Sequence, residues 1–280
     1  MSVPKRLSRW PVPAPWVEPI TEWELFLLAG GRSNSTVFGR TQHIRTFARA
    51  CGVIPDQVTE QMILRWSGAK KWKPETRHSY YVSFRSFFGF WSKRIGFADP
   101  AVNLPSVRRI IPPPRPAPDT VVLKALSEIS SREALILRLA AFMGLRCTEI
   151  AKVSAPDLIE DLFGPALVVH GKGGRTRTVP VPAHLHGDLV AGFKRNGFWL
   201  FPGNEDGHLS ARWISKLGGW CLPQGWTMHT LRHRFATKAY RADHDLIAVQ
   251  RLLGHVSIET TQRYVEPVNS AMRRAVEGAQ

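Results

Sequence analysis

The stretch IIPPPRPAP, residues 110–118, places five prolines in nine positions. Proline fixes its own φ angle and lacks a backbone N–H, so this stretch can neither continue a helix nor pair within a sheet. It predicts an extended, fairly stiff linker. The linker, residues 111–118, would separate a domain of residues 1–110 from a domain of residues 119–280, and 280 residues are enough for two domains.

The charge of the chain is strongly positive and unevenly distributed. Lys and Arg total 38 against 22 Asp and Glu, a formal net charge of +16, and residues 1–118 hold 18 of the cations but only 7 of the carboxylates. Such an excess favours a polyanionic partner. Nucleic acid is the first candidate, and an anionic membrane surface is the second.

Nothing in the sequence indicates a membrane span or a secreted protein. The longest apolar stretches, LFLLAGG and ALILRLAAFMGL, are shorter than the ~20 residues that cross a bilayer. No apolar run follows the basic residues near the N-terminus. Cys51, Cys147 and Cys221 are odd in number and far apart, so they predict no disulfide framework. We therefore expect a reducing, cytoplasmic compartment.

Four helices are predicted in the first domain, from TEWELFLLAGG, SNSTVFGRTQHIRTFARACG, TEQMILRWSG and KPETRHSYYVSFRSFFGFWSKRIGF. Thr21 would cap the first, after an extended segment rich in proline up to Pro19. The aromatic residues of the fourth helix are expected in the core: Tyr80, Tyr81, Phe84, Phe87, Phe88 and Trp91. The basic residues are candidates for contact with DNA phosphates: Arg40, Arg45, Arg49, Lys70, Lys71, Lys73, Arg77 and Arg85.

The second domain is predicted to be mainly helical with a small three-stranded antiparallel sheet. PDTVVLKALSEIS and REALILRLAAFMG have helical periodicity, and Gly144 ends the second of them. DLIED, ALVVHG and RTRTVPVP read as short strands, with the turn GKGG between the last two. From HLHGDLVAGF onward the chain is expected to return to helix. Four tryptophans are expected in the core: Trp199, Trp213, Trp220 and Trp226.

Four short stretches of this domain collect the reactive side chains. They are GLRCTEI with Arg146, GKGGRTR with Lys172, HTLRH with His229 and Arg232, and LLGHVSIETTQRYVE with His255 and Tyr264. Phosphodiester chemistry needs cations that hold the phosphate, and arginine bonds two oxygens at once without losing its proton. It also needs a nucleophile, which tyrosine can supply, and a proton donor for the leaving oxygen. The set meets these needs without a metal or another cofactor.

The chain resembles the tyrosine recombinases of the phage-integrase family. The resemblance is carried by GLRCTE at 144–149, HTLRH at 229–233, LLGH at 252–255 and Tyr264, nine residues after His255. It covers about residues 119–266, whereas the first domain matches the family's core-binding domain only in size and charge. The resemblance implies a helical DNA-binding domain followed by a mixed α/β catalytic domain.

The resemblance also implies a role for each of these residues. Arg146 and Arg232 would clamp the scissile phosphate and His255 would hydrogen-bond to it. His229 would take the proton of Tyr264, which forms a 3′-phosphotyrosine, and Lys172 would protonate the 5′-oxygen. Glu149 and His233 would support the site, and Arg175 and Arg234 would contact flanking DNA. Lys152 or Arg175 could stand in for Lys172.

The partners implied by the resemblance are double-stranded DNA at specific core sites and three further copies of the chain. The protein would then be associated with the nucleoid. The apolar residues Val268, Met272 and Val276 would form a short stripe that docks on a neighbouring copy, although docking on the same chain is the alternative. Because only a proline-rich segment precedes the first predicted helix, an arm-binding domain is not expected.

Other functions fit the sequence less well. A zinc hydrolase is suggested by His229 and His233, four residues apart, but Thr230 stands where the zinc-protease pattern has glutamate. A DNA-binding protein without catalysis explains the charge but not the reactive series. A type IB topoisomerase or a telomere resolvase shares the nucleophile chemistry and remains an alternative. Integration, excision and dimer resolution are not distinguished.

Overall fold

The chain divides into two compact units, Met1–Ile111 and Pro112–Gln280. The computed structural model describes residues 11–109, 113–129, 131–255 and 276–279. The change of unit falls within the proline-rich stretch. None of the helices in these ranges is both long and apolar enough to cross a lipid bilayer.

The N-terminal unit contains four helices, α1 (Ala14–Ala29), α2 (Asn34–Cys51), α3 (Glu60–Gly68) and α4 (Pro74–Ile95). Its core is aromatic, since Trp16 stacks on Phe87 at 5.8 Å between ring centroids and Phe84 is fully buried. Most of the aromatic residues predicted for this core are in it, but Tyr80 and Trp91 are only half-buried.

Helix α1 begins at Ala14, well before the predicted start at Thr21. Pro15 lies in its first turn, where a backbone N–H has no partner within the helix in any case. Pro19 lies inside the helix, yet burial of Trp16 and Trp23 offsets the lost hydrogen bond. Thr21 is no cap, because its hydroxyl donates to the carbonyl of Val17 within α1. The expected extended segment up to Pro19 was therefore wrong for residues 14–19.

The C-terminal unit is built around an apolar helix. α5 (Asp119–Ser127) leads to α6 (Ser131–Phe142), whose Ile136, Leu137 and Leu139 are all fully buried. Buried apolar residues on most of its faces identify α6 as the central helix of the core. The remaining helices are α7 (Cys147–Ile150), α8 (Ala183–Asn196), α9 (Ala211–Trp220), α10 (Met228–Asp243) and α11 (Leu246–Leu253).

The predicted sheet is present, with strands β1 (Leu158–Asp161), β2 (Gly164–His170) and β3 (Thr176–Pro180) in the order β1-β2-β3. Both pairs are antiparallel, and Arg177 of β3 lies opposite Val169 of β2. Residues 172–174 form the turn between β2 and β3. Because side chains alternate along a strand, Arg177 and Val179 point to the same face of the sheet.

Two expectations for this unit were wrong. A short strand, β4 (Pro202–Glu205), interrupts the helical region and pairs with His208. Trp213 and Trp220 are not core residues, since they are 40% and 64% exposed on α9. Their rings flank the Lys216 ammonium at 5.0 and 4.7 Å.

Candidate active site

The N-terminus of α10 brings two of the predicted site residues together. Thr227 caps this helix, and its hydroxyl accepts from the backbone N–H of Thr230, which lies beside His229. His229 and Arg232 follow three residues apart, which places them on the same side of the helix. His229 is exposed, whereas the Arg232 side chain is 2% exposed.

A tight turn at Gly144 carries Arg146 to the same place. Gly144 has a φ of +66°, which favours glycine, and a Cβ there would lie 2.3 Å from the Phe235 ring of α10. The carbonyl of Gly144 accepts a hydrogen bond from the Arg232 guanidinium. The turn therefore fixes the approach of the Arg146 segment to α10.

Glu149 is the centre of the charged cluster, and its side chain is 1% exposed. Its carboxylate accepts from the backbone N–H and from the guanidinium of Arg146, both at 2.8 Å. Arg177 of β3 donates to both carboxylate oxygens at 2.9 Å, and Arg232 lies 3.8 Å away. Burial by itself raises the pKa of Glu149. Hydrogen bonds from Arg177 and Arg146 and the charges of Arg177 and Arg232 lower the pKa by more, so the net pKa is below its ordinary value.

The turn after α11 completes the cluster. Gly254 ends α11 in the left-handed conformation, and the preceding carbonyl of Leu253 accepts from Arg146 at 3.1 Å and from Arg232 at 2.6 Å. Arg232 also lies 3.2 Å from His255 Nε2. Because a guanidinium only donates, Nε2 must accept, which places the proton of the neutral imidazole on Nδ1.

The cluster keeps its histidines neutral. Burial, with the charges of Arg232, Arg146 and Arg177, lowers the pKa of His255 to about 3. Partial desolvation and the charges of Arg232 and Arg146 lower the pKa of His229 as well, although part of its side chain is exposed. A neutral imidazole beside two arginines can accept a proton from a substrate or a nucleophile while the arginines hold an anion.

Residues 120–270 match the phage integrase family. The chain belongs to this family. The tyrosine recombinase XerC of Chromobacterium violaceum is 30% identical over 217 residues, which are 70% of this chain and 71% of that protein. XerC of Rhodospirillum centenum is 36% identical over 68% of this chain and 62% of its own length. XerA of Thermococcus kodakarensis is 28% identical over 94% of this chain and 95% of that protein.

Solved recombinase structures share the fold. A lambda integrase tetramer bound to a Holliday junction has a TM-score of 0.72 and 16% identity, covering 88% of this chain and 76% of that one. A XerH recombinase bound to palindromic difH substrate has a TM-score of 0.67 and 19% identity, covering 86% and 78%. The predicted fold class, mainly helical with a small antiparallel sheet, is confirmed.

The structure brings Arg146, Glu149, Arg232 and His255 into one hydrogen-bonded cluster beside His229. Of Lys172 the structure describes the backbone, which lies in the turn between β2 and β3. Tyr264, with the rest of residues 256–275, lies outside the described residues. The assignment of the nucleophile stays a prediction of the sequence and of the family.

Arg177 belongs to the cluster, but the sequence analysis missed it. Beyond its two bonds to Glu149, its Nε donates to the carbonyl of Leu252 at 2.7 Å. It thereby joins the strand after the Lys172 turn to the segment that carries His255. The alternation in RTRTV was the available signal, because it places an arginine on the inward face next to Val179, where a charge needs a partner.

The prediction that Arg234 contacts flanking DNA was wrong, because this side chain is buried in the protein. Its guanidinium donates to Asp119 and to the carbonyl of Ala141, and it lies 5.2 Å from the Phe142 ring. Arg234 follows Arg232 by two positions, and residues two apart on a helix point in different directions. It therefore ties α10 to α5 and α6 instead of facing the site.

In the N-terminal unit, four candidates for DNA contact bond to their own unit. Arg45 pairs with Glu24, Arg77 donates to the carbonyls of Ser67 and Lys70, and Arg85 donates to the carbonyl of Pro105. Arg49 bonds to the carbonyl of Pro11. The remaining candidates of this unit are the exposed Lys70, Lys71 and Lys73 and the half-buried Arg40. Arg175, in the C-terminal unit, is exposed as well.

Proposed function

We propose that this chain is a site-specific DNA recombinase that cleaves and rejoins DNA through a 3′-phosphotyrosine. One observation carries the proposal: Arg146 and Arg232 converge on the Leu253 carbonyl, and His255 lies 3.2 Å from Arg232. A DNA phosphate bound at this point would meet two guanidinium groups, which are well suited to bidentate bonding of its oxygens. The Arg146 side chain, 39% exposed, is open to such a ligand.

In the proposed reaction, the Tyr264 oxygen attacks the phosphorus and His229 accepts the phenolic proton. The bond from phosphorus to the 5′-oxygen breaks, and Lys172 gives that oxygen its proton. Arg146 and Arg232 balance the charge on the phosphate oxygens, and the neutral His255 donates a hydrogen bond to the same group. The lowered pKa of His229 supports its part, because an imidazole that is neutral at pH 7 can accept a proton.

Strand exchange follows when the 5′-hydroxyl of a second duplex attacks the phosphotyrosine and displaces Tyr264. We propose that four copies act together on two DNA sites, as in the lambda integrase tetramer on a Holliday junction. The formal charge of +16 supports a DNA partner, and the protein would act in the cytoplasm on nucleoid DNA.

The decisive experiment traps the covalent intermediate. The wild-type chain, incubated with a nicked duplex from which cleavage releases a short fragment with a 5′-hydroxyl that diffuses away, should form a protein–DNA adduct that survives denaturation. Tyr264→Phe removes only the hydroxyl and should abolish the adduct, while the affinity for uncleaved DNA should stay close to that of the wild type. An adduct formed by Tyr264→Phe would overturn the assignment of the nucleophile.

A type IB topoisomerase would form the same adduct, so a second assay separates the two activities. A recombinase should join two site-bearing duplexes into recombinant products of predictable length. Relaxation of supercoiled DNA that lacks such sites, without recombinant products, would favour the topoisomerase.

A further inference from the structure

The segment that follows the unit boundary is seated on the helix that carries His229. Residues 113–118, here called the linker strap, contain four prolines and so only two backbone N–H groups, those of Arg115 and Ala117. Arg115 N–H donates to His233 Nδ1 at 3.0 Å, and Ala117 N–H donates to the Thr230 carbonyl at 3.0 Å. Both backbone donors of the strap are thus directed at the first turns of α10.

Side chains of the strap add further contacts with the segment before α10 and with the core. The Arg115 guanidinium lies 4.2 Å from the Trp226 ring and donates to the Gly225 carbonyl at 3.3 Å, shortly before α10 begins. Ala117 is buried against the core of the C-terminal unit. A stretch that served only as a spacer would have no need of these contacts.

His233 connects the strap to the proposed base. Its ring lies against the His229 ring, with 4.2 Å between the centroids and an interplanar angle of 64°. Burial, with the charges of His229 and Arg232, lowers the pKa of His233 to about 4. At neutral pH the ring is therefore uncharged, and accepting from Arg115 at Nδ1 places its proton on Nε2.

We propose that the linker strap positions the catalytic base His229, through the hydrogen bond from the Arg115 backbone to His233. The inference rests on the proposed function, since it assigns His229 the proton of the nucleophile. Arg115 and His233 are positioning residues in this scheme. Loss of the bond removes the donor that holds His233 Nδ1 on the strap, and so weakens the support that the His233 ring gives to the His229 ring.

The strap allows a matched pair of variants. Arg115→Ala removes the guanidinium and keeps the backbone N–H, whereas Arg115→Pro removes both. Residue 115 lies between Pro114 and Pro116, where the backbone is already restricted to extended conformations. The ring Cδ of a proline at 115 would take the place of the N–H that faces His233 Nδ1, so this variant also pushes the imidazole away from the strap. The difference between the two variants therefore measures the loss of the backbone contact between the strap and His233, and variants of His233 itself separate the hydrogen bond from the added bulk of the ring.

The measurement is single-turnover cleavage of the nicked duplex by prebound full-length protein. Arg115→Pro should cleave about tenfold more slowly than Arg115→Ala, a factor in the range of one lost hydrogen bond. Half-site affinity of the two variants should be the same. His233→Asn keeps an acceptor near the Nδ1 position and should retain most of the rate, and His233→Leu should match Arg115→Pro.

A His229→Ala background tests the route. Without His229, the Arg115→Ala and Arg115→Pro variants should have the same residual cleavage rate, because the group that the strap positions is gone. An equal loss in both backgrounds, or equal rates of Arg115→Pro and Arg115→Ala, would overturn the inference. The inference would also be overturned if Arg115→Pro lost rate only in proportion to a lowered melting temperature or to weaker half-site binding.

The controls keep this result separate from the test of the proposed function. If wild-type protein forms no adduct, the proposed function fails, whatever the strap variants do. If it forms the adduct and the strap variants cleave at the wild-type rate, only the role of the strap fails.

Discussion

Glu149 shows how a single buried charge depends on its partners. Its carboxylate is 1% exposed, and Arg177 supplies two of the hydrogen bonds that compensate for burial. Removing one member of a buried ion pair leaves the other uncompensated, at a cost of roughly 3–5 kcal/mol. Glu149 also bonds to Arg146, so disturbance of the carboxylate reaches an arginine of the proposed phosphate site.

We therefore expect Arg177→Met to lower the free energy of unfolding by about 3 kcal/mol. Both Arg177→Met and Arg177→Lys should form less adduct than the wild type. Arg177→Lys should lower the free energy of unfolding less than Arg177→Met, but one ammonium cannot bond both carboxylate oxygens in the arginine geometry. Urea denaturation and adduct trapping measure the two effects. Arg175→Met is the control for stability, since Arg175 is exposed on the same hairpin. Equal stability of the Arg177 and Arg175 variants would contradict the role of Arg177.

The histidines of the site give stability a pH dependence with a definite sign. In the folded protein the pKa values of His255 and His233 are lowered to about 3 and about 4, so between these values and the ordinary 6.5 the unfolded chain binds more protons. Stability must then rise with pH across this window and fall as pH drops from about 7 to 4. The lowered pKa of Glu149 adds a loss in the same direction below its ordinary 4.5.

Melting temperatures measured between about pH 7 and pH 4 should show this fall, and a matched series for His255→Gln should show a shallower one. Glutamine keeps a polar side chain that does not titrate, so the variant removes only the contribution of His255 to the pH dependence of stability. Parallel curves for the two proteins would show that His255 does not have the lowered pKa.

At this scale the sequence predicted the residues that lie in compact motifs and missed those that depend on long-range pairing. Arg146, Arg232 and His255 were found because glycine stops and helix spacing place them. Arg177 bonds to Glu149 from 28 positions away, and the alternation that places Arg177 on the inward face does not identify its partner. Arg234 shows the converse, because Asp119, 115 positions away, holds it in the protein.

Among the elements, the turn at Gly144 determines how Arg146 meets α10. Gly144→Ala would add a Cβ that clashes with the Phe235 ring in a backbone conformation of φ +66°. The left-handed conformation alone costs a side chain roughly 1–2 kcal/mol, and overpacking adds about 1–3 kcal/mol.

Gly52→Ala is the matched control for this turn. Gly52 also ends a helix, with φ +72°, but a Cβ there has nothing within 4 Å. We expect urea denaturation to show a greater loss for Gly144→Ala than for Gly52→Ala, and adduct formation to fall only for Gly144→Ala. Equal effects on stability and on the adduct would mean that the Phe235 contact is not what matters.

The elements were predictable where a start or stop signal agreed with the hydrophobic period. α2, α3 and α4 have such signals at Gly52, Thr59 and Pro74, and the three strands alternate between turns. The start of α1 was missed because prolines near it were taken as barriers, while burial of Trp16 and Trp23 outweighs them. β4 was missed because Pro202–Glu205 has no apolar alternation and pairs through its backbone with His208.

At the scale of the whole molecule, the charge of +16 predicts a salt-dependent affinity for DNA. If the protein neutralises about 6–10 phosphates, the affinity should fall by roughly 10³–10⁵ between about 50 and 200 mM salt. Gel shifts at several salt concentrations measure the slope. Lys70→Ala combined with Lys73→Ala should reduce it, since both lysines are exposed, and an unchanged slope would place the phosphate contacts elsewhere.

The apolar stripe expected at the end of the chain leads to a prediction about assembly. Val268 and Met272 lie outside the described residues, but Val276 is described and is 66% exposed. An apolar stripe on so short a segment cannot hold a helix by itself and needs a surface to pack on. We predict that this surface belongs to a neighbouring copy on DNA.

Deleting residues 268–280 should then leave the binding of one copy to a half-site close to that of the wild type, because the first contacts with DNA do not involve a second copy. Cooperative occupation of a full site and the yield of recombinant product should fall, because the predicted contact between the tail and the neighbouring copy is lost. Gel shifts on half-sites and full sites, read beside the melting temperature of the free protein, separate the alternatives. Val276→Ser in the full-length chain is the milder companion variant, and it should weaken pairing without changing the melting temperature. If the deletion weakens half-site and full-site binding equally and lowers the melting temperature, the tail packs on its own chain and the prediction is wrong.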